Sequence, residues 1–142
     1  MCSSDLSGDP AHAYWVPAEV YPNSYSPKVW WLTPDYPGSE PPAEAAAFLA
    51  AASMVFAGTD PTYAATCLSH ARQLHDFADQ YQGLYHETIT NVASAYQSWS
   101  GFYDELCWSA LWLYRATGEA AYLAKAKALY DTPFPRDRKS LV

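Results

Sequence analysis

The sequence predicts an all-α chain: two αα-hairpins, one after the other, behind an irregular amino-terminal third. Three observations carry that expectation. Most of the eleven prolines fall between Gly8 and Pro42, where fixed φ angles and missing amide donors deny both helix and sheet. After that segment, stretches that are apolar all round alternate with stretches that are apolar on one side only. Such a rhythm arises when one helix of each hairpin lines an inner ring and its partner coats the outside. Punctuation agrees with it, since Asp60-Pro61 suits a helix start while Gly58, Gly83 and Gly118 follow helical patterns.

The elements follow in order. The proline-rich segment holds several Trp and Tyr residues and is long for a loop, and long loops tend to carry function. Pro41 and Pro42 suit the first turn of a helix whose body, AEAAAFLAAASMVF from Ala43 to Phe56, is apolar around nearly its whole circumference and should be buried on all sides. The next helix opens at Asp60-Pro61 and runs to about Tyr81. In it Tyr63, Cys67, Ala71, Leu74, Ala78 and Tyr81 recur at helical spacing and predict the buried stripe, while Arg72, Gln73, Asp76, Asp79 and Gln80 lie mostly elsewhere. A Ser- and Thr-rich connection, TITNVASAYQSWS, is expected to be extended. A helix from about Phe102 to Thr117 contains LCWSALWLY, again apolar on every face. Its successor, EAAYLAKAKALYD, should turn Tyr122, Leu123, Ala126, Leu129 and Tyr130 inward and Lys125, Lys127 and Asp131 outward.

Composition narrows the partner. The 142 residues suit one domain, half of them are apolar, and fifteen acidic against eight basic residues leave a net charge of -7. That charge repels nucleic acid and anionic membrane surfaces. No apolar run is long enough to span a bilayer, and the amino terminus lacks a signal-peptide pattern. Six Trp and twelve Tyr fit a neutral ligand with apolar faces and a hydroxylated rim. Cys67 and Cys107 sit in helical patterns with neither CxxC nor CxxxH spacing, and are expected to be small buried hydrophobes. Both ends look foreign: CSSDL (Cys2 to Leu6) and DRKS (Asp137 to Ser140) can be encoded by complementary DNA strings of sequencing-adapter type. Residues 1–6 and 137–142 are therefore expected to be non-native flanks around an internal piece, residues 7–136, of a longer reading frame.

The stretch YQSWSGFYDELCW, Tyr96 to Trp108, concentrates the chemistry. Tyr96 and Trp99 stand three apart just before a helix, where a loop can present both rings to a groove; the alternative is that they cap a core. Asp104 and Glu105 are neighbours on a helix and point about 100° apart, so they are not an acid and base pair facing across a glycosidic bond. In a first turn they stabilise the helix amino terminus. With the carbonyls of Ser100 and Gly101 they also make four hard oxygen donors of the kind calcium selects, short of the six to eight it usually takes. His70 and His75 are five apart, which argues against a two-histidine zinc site and suggests surface positions. His12 stands with Trp15 and Glu19 in the irregular segment, a trio able to line a cleft.

These residues resemble a known family. GDPAHAYWVPAEV, PGSEPPAEAAAFLAAASMVFAGTDPTYA, HARQLHDFADQYQGLY and AYQSWSGFYDELCWSALWLYRATGEAAYL are similar, in order and spacing, to the middle of the catalytic module of glycoside hydrolase family nine, mostly cellulose-degrading endoglucanases. The resemblance spans nearly all of Gly8 to Tyr130. It implies an (α/α)6 barrel, with about a third of the twelve helices present. It also implies that His12 and Trp15 match a His-x-x-Trp of the substrate cleft, that Tyr96 and Trp99 match a sugar-stacking Tyr-x-x-Trp, and that Ser100, Gly101, Asp104 and Glu105 match ligands of a structural calcium ion. The implied reaction is hydrolysis of β-1,4-glucan with inversion by a secreted parent enzyme, with the catalytic Asp and Glu outside this chain. The sequence departs from the family pattern at Ala11, where Asp precedes the histidine, at Ala95, where an aromatic ring often stands, and in YPNSYSPKVWW, which lacks the usual Arg-Pro.

Two other classes remain open on sequence grounds. A non-catalytic helical sugar-binding or scaffold protein would keep the same rings without an acid and base. An α-α toroid acting on isoprenoids would need an Asp-rich magnesium motif, which DELCW matches poorly.

Overall fold

The computed structural model describes residues 16–20, 29–93 and 96–131. Helix α1 (Glu40–Phe56) begins with Pro41 and Pro42 in its first turn, where a missing amide breaks no intrahelical bond. Ser39, just before it, does not cap the helix. Its hydroxyl instead donates to the Ala78 carbonyl at 2.9 Å and accepts from the Gly83 amide at 3.1 Å, tying the start of α1 to the end of the next helix. That helix, α2 (Pro61–Gln80), is capped by Asp60, whose carboxylate accepts from the Tyr63 amide at 2.9 Å. Helix α4 (Tyr103–Thr117) ends at Gly118. There φ is +72°, a left-handed conformation that favours glycine. Helix α5 (Ala120–Tyr130) completes the second hairpin.

The two hairpins lie side by side in two layers. Helices α1 and α4 pack on each other, α2 backs α1, and α5 backs α4. Alanines set the spacing: Ala43, Ala78, Ala110 and Ala126 surround Leu106 and Leu129 in one cluster, and Ala50 and Ala71 enclose Leu113 in another. Small side chains let helices approach closely, so few large residues suffice to fill the gaps. Side chains also join the outer helices. Lys125 pairs with Asp79 at 2.6 Å, and Arg72 bonds Glu119 and the Tyr122 hydroxyl. Cys67 and Cys107 are free and buried, as the sequence predicts. Among the described residues there is no strand, only an isolated bridge between Thr33 and Tyr36, and no helix is long and apolar enough to cross a membrane.

Four expectations are corrected. The connection before α4 is not extended: it contains a short helix, α3 (Tyr85–Thr88), and a 3-10 turn at Thr90–Val92. Burial of Ile89 and Val92 against Leu32 draws this segment into helical turns. Helices α1 and α4 are not buried all round, because the described helices pack on only one side of each. Phe48 is 72% and Val55 74% exposed on α1, and Trp108 is 54% exposed on α4. Tyr63 and Tyr130 lie exposed at helix ends rather than inward, and Tyr63 meets the last residue of α1, Phe56, edge-on at 5.0 Å between ring centroids. His75 is buried rather than at the surface, because Ser109 of α4 offers its ring a hydroxyl partner at 2.8 Å.

Candidate functional site

The loop from Tyr96 to Phe102 is shaped by its own main chain. Gly101 has φ +88°, and a Cβ built there would meet no neighbour within 4 Å. Glycine is therefore favoured there for its backbone conformation, not for space. The Ser98 hydroxyl donates to the Gly101 carbonyl at 2.7 Å and closes the turn. At the loop's start, the Tyr96 amide donates to the Val92 carbonyl at 2.8 Å. Helix α3 braces the loop from beneath, through the Tyr85 hydroxyl on the Tyr96 carbonyl and through His86 Nδ1, which accepts from the Ser98 amide at 3.3 Å.

Held this way, the loop turns its rings outward: Tyr96 is 42% and Trp99 79% exposed. Trp99 forms a wall of a cleft of about 800 Å³, with Tyr85, Gln97, Phe48, Glu44 and Glu105 among the other walls. Tyr96 does not line that cleft. A second cleft of about 560 Å³ runs between α1 and α4, lined by Trp108, Trp112 and Asp104, and shares Glu44, Phe48 and Glu105 with the first. Together they form a trough of aromatic rings and carboxylates along the open side of the inner helices. Flat apolar faces with acceptors between them suit a ligand with C–H faces and a hydroxyl rim.

The carboxylates are unequal. Asp104 is exposed while Glu105 is partly buried. Burial, then the Asp104 carboxyl beside it, pushes the Glu105 carboxyl up to about 8. Glu105 Oε2 is sealed from water without a hydrogen-bond partner. Burial also raises the Glu40 carboxyl, opposed by hydrogen bonds that include one from the Tyr85 amide. A buried carboxylate oxygen without a donor calls for a proton or a cation. Among the described residues no cluster of three or more His, Cys, Asp or Glu side chains forms a metal cage. A cation here would therefore rely on the Ser100 and Gly101 carbonyls as well as Asp104 and Glu105.

His12 and Trp15 lie outside the described residues. Sequence reasoning missed Glu40, Glu44, Tyr85 and His86. The first two sit in the first turns of an apolar helix and read there as charges at its amino terminus. The last two carried no local signal, because their partners are eleven and twelve residues away.

Comparison with known proteins places this architecture. Residues 3–140 match the family described as Glycosyl hydrolase family 9, and the chain belongs to that family. It is 50% identical over 124 residues to Endoglucanase B of Cellulomonas fimi, covering 87% of this chain and 12% of that protein. Among solved structures, the endoglucanase of the termite Nasutitermes takasagoensis matches with a TM-score of 0.81 and 44% identity, over 88% of this chain and 28% of that one. Endoglucanase CelQ of Clostridium thermocellum, complexed with cellotriose, matches with a TM-score of 0.70 and 31% identity, over 89% of this chain and 19% of that one. The solved relatives are (α/α)6 barrels, and α1, α2, α4 and α5 form a sector of such a barrel.

Proposed function

We propose that this chain contributes a substrate-binding wall to a secreted, inverting endo-β-1,4-glucanase that hydrolyses cellulose or a related β-glucan. The carrying observation is the Trp99 ring, 79% exposed on a loop fastened from beneath and set beside a cleft. A large ring standing that far into solvent gains little for folding, and its flat face suits the axial C–H bonds of a glucose unit. Glu44 and Gln97 on the same walls are placed to meet hydroxyls on the sugar rim. CelQ, structurally similar here, is complexed with cellotriose. General acid and base groups are assigned outside this chain, an Asp activating water and a Glu protonating the leaving oxygen. This chain's residues orient the glucan for them.

Calcium fits the donor set of Ser100, Gly101, Asp104 and Glu105, and the partnerless Glu105 oxygen supports it. A bound ion would supply positive charge that keeps Glu105 ionised and holds the Gly101 turn in one conformation.

The test is cellotetraose binding by the full-length protein, followed by intrinsic fluorescence. Trp99→Ala is expected to weaken binding roughly tenfold, on the scale of one aromatic stacking surface, and unchanged affinity would contradict the assignment.

A further inference from the structure

Helix α3 is one turn long, and four residues on and beside it are tied to other parts of the molecule. The Tyr85 amide donates to Glu40 Oε2 at 3.0 Å, fastening α3 to the first turn of α1. The Thr88 hydroxyl donates to the Pro37 carbonyl at 2.6 Å. Ile89, next in sequence, is 1% exposed in the Leu32 cluster. Beneath the helix the chain leaves no slack, since a Cβ on Gly38 would fall 2.8 Å from the Tyr85 Cβ. Two further polar groups of this turn reach the loop before α4. The Tyr85 hydroxyl reaches the Tyr96 carbonyl, and His86 Nδ1 accepts the Ser98 amide at 3.3 Å. Those two acceptor and donor sites flank Gln97 and immediately precede Trp99.

We propose that Tyr85 and His86 are positioning residues for the Trp99 platform: they hold the loop backbone at Tyr96 and at Ser98, and so fix the height and tilt of the ring that meets the sugar. The inference rests on the proposed role of Trp99 in glucan binding. A tryptophan on a free loop must be ordered when a ligand arrives, and that ordering subtracts from affinity; two anchors set beforehand remove most of the cost. The His86 bond has a defined chemistry. An imidazole that accepts from an amide at Nδ1 is neutral and carries its proton on Nε2. Oδ1 of an asparagine can occupy nearly the same position, whereas leucine offers bulk and no acceptor. Tyr85 also lines the cleft itself, so its ring is kept in any test of its hydroxyl.

The experiment measures KM and kcat on cellotetraose, together with the Kd of the same sugar, for the full-length protein and for His86→Leu, His86→Asn and Tyr85→Phe. His86→Leu and Tyr85→Phe are each expected to raise Kd and KM roughly three- to tenfold with kcat held within about twofold, the loss of one net hydrogen bond that orders a binding group. His86→Asn is expected to recover most of the affinity. Wild-type Kd in both His86→Leu and Tyr85→Phe overturns the proposal, and so does a His86→Asn variant as weak as His86→Leu. Should His86→Leu not fold, Tyr85→Phe decides, because it removes one oxygen from a half-buried ring. Failure of wild-type protein to bind, or binding untouched by Trp99→Ala, overturns the functional reading beneath it and is recognisable without these variants.

Discussion

His75 Nδ1 lies 2.8 Å from the Ser109 hydroxyl and joins α2 to α4 where both residues are sealed from water. Ser109 donates its own proton to the Leu106 carbonyl at 2.9 Å, so the imidazole is the donor between them and the neutral ring carries its hydrogen on Nδ1. Tyr122 of α5 meets the same ring edge-on, at 5.8 Å between centroids. One buried side chain of α2 thus touches two other helices.

Burial holds the His75 imidazole below its ordinary 6.5, partly offset by Asp79 and Asp76 and reinforced by Lys125. The unfolded chain binds the proton more readily than the folded one, so the stabilisation is complete above pH 6.5 and is lost as pH falls through the lower folded value. Urea unfolding of the full-length protein should show a midpoint that drops between pH 7 and pH 5. His75→Phe should flatten that part of the profile while keeping a ring against Tyr122. An equal drop in the variant would assign the acid sensitivity to other groups.

Glu105 predicts the opposite slope. Its carboxyl stands near 8 when no cation is present, so without calcium it favours the folded state below its ordinary 4.5 and loses that contribution as pH rises through about 8. A calcium ion bound at the proposed site would have to displace this proton. Calorimetric titration at pH 6.5 in buffers of different ionisation enthalpy should therefore show net proton release, and Glu105→Gln should abolish it. Binding with no buffer dependence would mean that Glu105 gives up no proton to the ion, and would contradict a protonated Glu105 in the donor set.

The open side of the inner helices predicts how the chain behaves alone. Phe48, Val55, Trp108 and Leu111 leave apolar surface uncovered on α1 and α4, and contiguous patches of this kind drive association. Residues 29–131 produced alone should self-associate and bind a hydrophobic dye. A monodisperse monomer with a sharp, cooperative melt would contradict this.

Helix positions were legible because each signal was local. Asp60-Pro61 caps α2, and Gly118 ends α4 with positive φ. The alternation of all-round and one-sided apolar stretches anticipated the two layers, since inner helices need neighbours on more sides than outer ones do. Burial was harder to read. His75 looked like a surface histidine until Ser109, 34 residues away, supplied a partner. The loop before α4 was legible as rings, a Ser-Gly pair and carboxylates. Its supports were not, because Glu40, Tyr85 and His86 act across 45, 11 and 12 residues and hydrogen bonds of that span leave no mark on periodicity.

The most direct test is the coupling between cation and sugar at the Trp99 loop. In the full-length protein, cellotetraose affinity should fall severalfold on calcium chelation and return on calcium addition, while Asp104→Ala should show the weakened affinity from the start with no further response to chelator. Cellotetraose affinity that ignores chelation in the wild-type protein, with calcium shown to have left, would contradict the view that a bound ion holds the platform in place.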